Sequence, residues 1–145
     1  MRLCMKTRGV AIALLLFLAA CSSTPAEQQI REAIETAATA AQDTDAGTFG
    51  EVLSDDFDGN HGELDRQRLI NMLRVQRLRG AKPGVHLGPV QMKARGERYV
   101  ATFTASLTGG GRILPDRIGI YTIETAWKQI DGDWRCYSAT WQRKL

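Results

Sequence analysis

Trp127-Lys128-Gln129-Ile130-Asp131-Gly132-Asp133-Trp134-Arg135 is the stretch that decides the fold. Asp-Gly between two aromatic-bearing runs is a strong hairpin signal, because the tightest strand-joining turns need positive φ at both central residues. Ile118 to Lys128 therefore reads as one long strand and Trp134 to about Gln142 as its partner. Upstream, Tyr99, Ala101, Phe103, Ala105 and Leu107 alternate with Val100, Thr102, Thr104 and Ser106, which predicts a strand with one buried face. Arg95-Gly96-Glu97 is a turn, and Val85, Leu87, Val90 and Met92 suggest an earlier strand broken by Gly88-Pro89. Gly109-Gly110-Gly111 begins a loop reaching Asp116; it lacks the lysine and following helix of a phosphate loop.

N-terminal to the strands the period is helical. Thr24 with Glu27 reads as a capping box, with Pro25 at the first helical position. Ile30, Ala33, Ile34, Ala37 and Ala41 then form one stripe of a helix over about 27–42. Asp43 or Asp45 caps a second, short helix ending near Leu53, with Phe49, Val52 and Leu53 on its apolar side. Ser54 to Gly62 is rich in Asp, Asn and Gly and reads as a loop or a brief extended piece. Asp65 caps a third helix to about Arg79, which Gly80-Ala81-Lys82-Pro83-Gly84 stops. The fold class is α+β: three N-terminal helices packed on a curved antiparallel sheet.

The first 21 residues carry an address. Arg2, Lys6 and Arg8 precede an unbroken apolar run from Val10 to Leu18, about half of what a bilayer-spanning helix needs. Leu18-Ala19-Ala20-Cys21 resembles the lipobox of bacterial lipoproteins. That resemblance implies cleavage before Cys21, acylation of its thiol and, with Ser22 where an aspartate would retain the protein in the inner membrane, an outer-membrane anchor facing the periplasm. The expected organisation is a signal peptide over 1–20, a lipidated tether over 21–26 and a domain over 27–145. Loss of the three leader cations from 19 leaves the rest balanced against the 16 acids, so nucleic-acid binding loses its charge support. Cys4 leaves with the leader and Cys21 takes lipid, so Cys136 stands alone without a disulfide partner and reads as a small buried hydrophobe.

Leu53-Ser54-Asp55-Asp56-Phe57, Leu64-Asp65-Arg66-Gln67-Arg68-Leu69 and the closing hairpin, in that order, resemble the nuclear transport factor 2-like superfamily over about 27–143. The resemblance implies a cone in which helices close over a concave sheet and leave a mostly apolar pocket. The superfamily holds isomerases, dehydratases and hydrolases as well as non-enzymatic binding and assembly domains, so fold alone does not assign a function. No stretch matches a catalytic motif of those enzymes residue by residue.

Candidate pocket walls are Phe57, Phe103, Tyr121, Trp127, Tyr137 and Trp141. Tyr121, Ile123 and Trp127 are placed inward. On the last strand Tyr137 and Trp141 share one face by alternation, and Trp134, Cys136 and Ser138 the other, unless a bulge swaps them. Asp55, Asp56, Asp58 and His61 are the only acid–base cluster; in an enzyme Asp56 would be the general base, with His61 or Tyr121 as its partner. Asp56, Asp58 and Asn60 alternate as in a calcium loop, but His61 and Gln67 stand where glycine and glutamate belong, so no metal is expected. His86 reads as solvent-facing. No cofactor is expected. Helix three carries Arg66, Arg68, Arg74, Arg77 and Arg79, a run suited to a solvated face or to anionic lipid.

Three function classes remain open on these residues. One is a non-catalytic, lipid-anchored envelope protein whose cone binds a small apolar ligand or serves as an interaction module. The second is an enzyme using an Asp base. The third is a structural or assembly module, a homodimer or a tethered partner of another envelope protein; the resemblance implies that a homodimer would pair through the open sheet face.

Overall fold

The computed structural model describes residues 24–109 and 119–144. Cys4, Cys21, the leader and most of the loop after Gly109 lie outside the described residues. Helix α1 spans Pro25–Gln42; Thr24 caps it by accepting the Glu27 amide at 3.2 Å, and Pro25 opens it where a missing N–H costs nothing. Its apolar stripe buries Ile30 and Ile34, with Ala33 and Ala37 packed beside them. Helix α2 spans Ala46–Val52 and is capped by Asp45. The Thr48 hydroxyl donates to that carboxylate at 2.7 Å and the Thr48 amide at 3.1 Å, which together hold the Asp45 carboxyl below its usual range. Helix α3 spans Arg66–Leu78, capped by Asp65 through the Arg68 amide.

The strands are β1 (Leu53–Gly59), β2 (Leu64–Asp65), β3 (Gly84–Leu87), β4 (Gln91–Arg95), β5 (Arg98–Thr108), β6 (Gly119–Ile130) and β7 (Asp133–Arg143). They form one sheet in the order β2-β1-β7-β6-β5-β3, with β4 also paired to β5. β5, β6 and β7 make the antiparallel meander that the alternation and the Asp-Gly turn require. Asp131 and Gly132 have φ of 51° and 84°, the two positive values of the tight turn that matches sheet twist.

Two expectations are corrected. First, the sheet is mixed, not antiparallel throughout, and α3 follows two strands instead of preceding the sheet: of the two readings of Ser54–Gly62 the extended one holds over its first part, where β1 leaves α2 directly and pairs with β7 in parallel. β1 satisfies its backbone against β7 while turning Asp55, Asp56 and Asp58 to solvent, so its composition hides an extended backbone. Second, the pairing of β6 with β7 slips between Ala126↔Ser138 and Trp127↔Cys136, leaving Tyr137 as the extra residue of a bulge. The alternation changes phase there. Cys136, Ala139 and Trp141 point to the helices, and Tyr137 goes to the opposite face, where Arg98 and Lys128 lie over its ring at 4.9 and 5.3 Å.

The core lies between α1, α2 and the concave sheet face. Ile30 (0 % exposed) and Trp127 (2 %) are its most deeply buried large side chains, each stabilising the closed cone by about 1.5–3 kcal/mol or more. A smaller cluster of Ala46, Ile70 and Leu73 joins α3 to α2. Gly50 lets the two helices approach: a Cβ there would stand 2.7 Å from Ile70 Cδ1. No described helix is long and apolar enough to cross a membrane.

Candidate functional site: an apolar cavity in the cone

The concave face does not close on itself. A cavity of about 430 Å³ remains between the second half of α1, α2, the start of α3 and the inner faces of β5, β6 and β7. Alternation builds it: Phe103, Ala105 and Leu107 from β5 and Tyr121, Ile123 and Trp127 from β6 all project to one side. Small residues keep it open. Ala37, Ala38 and Ala41 on α1 face Ala105 and Ala139 on the sheet, so neither wall fills the gap.

Its few polar atoms serve one another. Trp127 Nε1 donates to Thr125 Oγ1 at 2.8 Å, and that hydroxyl donates to the Ala101 carbonyl at 3.2 Å. Cys136 Sγ lies 3.3 Å from the Ser138 carbonyl, and burial pushes its thiol up to about 12, so it is no nucleophile near neutral pH. Tyr121, half-buried, brings a phenol to the wall. Among the described lining residues there is no carboxylate, histidine, lysine or arginine. Met72 and Leu107 line the cavity and are also 48 % and 36 % exposed, which marks them as its rim.

Phe57, Phe103, Tyr121, Trp127 and Trp141 of the expected wall residues line this space. Tyr137 does not, because the bulge turns it outward. Sequence reading missed the alanines that make room; their pattern on α1 was visible, but a stripe of alanine reads equally as close helix packing. The expected acid–base set does not converge. Asp56 points away from the cavity: Lys128 Nζ lies 2.7 Å from its Oδ2 and Ser54 Oγ 2.6 Å from its Oδ1. First Lys128 and then Ser54 hold the Asp56 carboxyl below its usual range, the opposite of what a base working near neutrality needs. His61 lies at a separate polar groove on the outer sheet face, beside Asn60, Glu63, Thr122 and Glu124. Tyr121 alone of the three faces the cavity.

The calcium-like spacing is used otherwise. Asp58 Oδ1 accepts from the Gly62 amide at 2.6 Å, and Asn60 Oδ1 accepts from the Trp141 amide at 2.9 Å. No three His, Cys, Asp or Glu among the described residues come together as metal ligands. His86 is exposed on β3.

No family model matches the chain, and no curated protein does. Solved structures match it in shape. An NTF2-like protein from Cytophaga hutchinsonii aligns with a TM-score of 0.68 at 16 % identity, over 81 % of this chain and 97 % of that one. An NTF2-like protein with a cystatin-like fold from Novosphingobium aromaticivorans aligns at 0.64 and 16 % identity, over 81 % of each chain. A Streptomyces avermitilis protein of the NTF2-like family, provisionally assigned as a dehydratase, aligns at 0.67 and 14 % identity, over 81 % of this chain and 95 % of that one. Identities this low carry the architecture and nothing finer. On the hairpin, the mixed sheet, the three capped helices and these alignments, the chain has the NTF2-like, cystatin-like fold.

Proposed function

We propose that this protein is a lipid-anchored envelope protein whose cone binds a small apolar ligand and performs no chemistry on it. One observation carries the reading: a cavity of about 430 Å³ whose described walls hold no ionisable carboxylate or imidazole and whose buried donors are already engaged. A space of this size suits a small ligand held by shape and burial, with little polar selection. The anchor part of the proposal rests on the lipobox-like Leu18-Ala19-Ala20-Cys21 and on no structural observation. An acid–base reaction centred on Asp56 has no geometric support, since that carboxylate is tied to Lys128 outside the cone.

The test pairs two measurements on protein purified from its own membrane. Native mass spectrometry is expected to find a co-purified apolar molecule. A soluble naphthyl fluorophore is expected to enter the emptied cone with a rise in emission. Ala105→Phe places a ring in the middle of the wall and is expected to weaken uptake by on the order of tenfold or more, with thermal melting showing that the variant is folded. An empty cone that takes up no fluorophore, or uptake indifferent to Ala105→Phe, overturns the reading.

A further inference from the structure

The rim of the cavity continues onto an apolar strip that nothing in the fold covers. Along α3, Met72 is 48 % exposed, Val75 43 % and Leu78 88 %. At 3.6 residues per turn these three spread over about 120° of the helix surface, on the side away from Ile70 and Leu73, which pack against α2. Leu107 adds a fourth apolar group across the mouth.

Along the chain the charge of this segment has one sign, although Arg77 on the α2-facing side of α3 lies close enough to Asp45 to help Thr48 hold its carboxyl below the usual range. Between Arg66 and Gly96 the chain carries eight cations and no Asp or Glu. Arg68, Arg74, Arg79 and Lys82 are exposed on α3 and the turn after it. None of the four is in an ion pair among the described residues: Arg68 donates to the Glu63 carbonyl at 2.9 Å and Arg74 to the Asn71 side chain at 3.3 Å. A solvated face usually intersperses both signs. Exposed leucine, valine and methionine beside Arg74, Arg79 and Lys82, none of them in an ion pair among the described residues, form the pattern of a helix that lies in a bilayer interface, apolar groups entering the acyl boundary and cations meeting phosphates.

We infer that α3 and the cavity rim dock onto an anionic lipid bilayer, with Met72, Val75, Leu78 and Leu107 inserted and Arg74, Arg79 and Lys82 on the headgroups. Docking so places the mouth against the lipid, from which an apolar ligand passes into the cone without crossing water; this last step alone rests on the ligand-binding reading.

The experiment uses the full-length chain with Cys4→Ser and Cys21→Ser, so that no lipid anchor forms. A bimane label is placed at Leu78→Cys or, as a control at the far end of the domain, at Asp133→Cys. Each protein is mixed with phosphatidylglycerol–phosphatidylcholine vesicles containing a nitroxide-labelled lipid. Bimane at position 78 is expected to be quenched by about twofold or more and bimane at position 133 to be little affected, as one-sided insertion requires. Removing the phosphatidylglycerol, or introducing Arg74→Gln, Arg79→Gln and Lys82→Gln together, is expected to abolish the difference, the docking constant falling by on the order of a hundredfold. These three side chains are exposed, so the variant keeps its fold, and circular dichroism checks that it does. Equal quenching at both positions, no quenching at 78, or binding to a soluble polyphosphate without quenching at 78 overturns the proposal. Fluorophore uptake measured without vesicles separates the two readings: uptake without quenching removes the docking and leaves the ligand site, and quenching without uptake does the reverse.

Discussion

Asp56 shows how one pairing can decide between chemistry and scaffold. Its side chain is 65 % exposed and its ammonium partner 24 %, so the pair lies in a screened setting and is worth less than about 1 kcal/mol. The sign of its pH dependence follows from the lowered pKa, whose first cause is Lys128. A carboxyl that ionises more readily folded than unfolded stabilises the fold above its unfolded value of 3.8 and loses that contribution as pH falls through the lowered value. Asp56→Asn is therefore expected to lower stability to urea slightly at pH 7, with the gap from the parent closing below pH 3.8. A gap that widens in acid would show that Lys128 is not what holds this carboxylate. The same residue in a working acid–base site would leave an ordinary fold and a lost activity; here the expected change is in stability alone.

Among the elements, the α2–α3 contact is an exacting one, because a glycine inside a helix is what brings the two together. Alanine at position 50 gains about 1 kcal/mol of helix propensity but meets Ile70 Cδ1 at 2.7 Å, and overpacking of that kind costs about 1–3 kcal/mol. Gly50→Ala is expected to be a net loss in urea unfolding, and Ile70→Val, which deletes the offending methyl, is expected to recover most of it in the double variant; additive losses would refute the contact. Most elements were legible in the residues. Thr24, Asp45 and Asp65 announce three helix starts, Tyr99 to Leu107 announces a half-buried strand, and Asp131-Gly132 announces the turn, because caps, period and positive φ are local properties. β1 and the bulge were not, since both are settled by a neighbouring backbone. Nothing in Ser54-Asp55-Asp56 signals a parallel partner eighty residues on, and no local rule reveals that Tyr137 is skipped in the pairing with β6. The candidate site was half legible for the same reason: aromatic walls follow from alternation, whereas Tyr137 and the direction of Asp56 depend on register.

For the whole molecule the address and the fold make separate claims. If Cys21 carries acyl chains, palmitate label is expected to enter the protein, and Cys21→Ala is expected to move it from the membrane pellet to the soluble fraction on fractionation of the cells, unless α3 alone holds it there. Combining Cys21→Ala with the three α3 charge substitutions is then expected to release it fully; retention after both would show that neither route is what holds it. Length adds a constraint on posture. α1, with 18 residues, is about 27 Å long, and its C-terminal half borders the cavity while its N-terminus adjoins the tether. The four-residue link from Cys21 to Pro25 reaches at most about 14 Å when fully stretched. If the cysteine is acylated and the mouth is also seated on lipid, a domain standing upright on its tether cannot satisfy both: α1 would have to recline to within roughly 30° of the leaflet, and the cone would lie on its flank like a moored hull, its opening turned down toward the lipid.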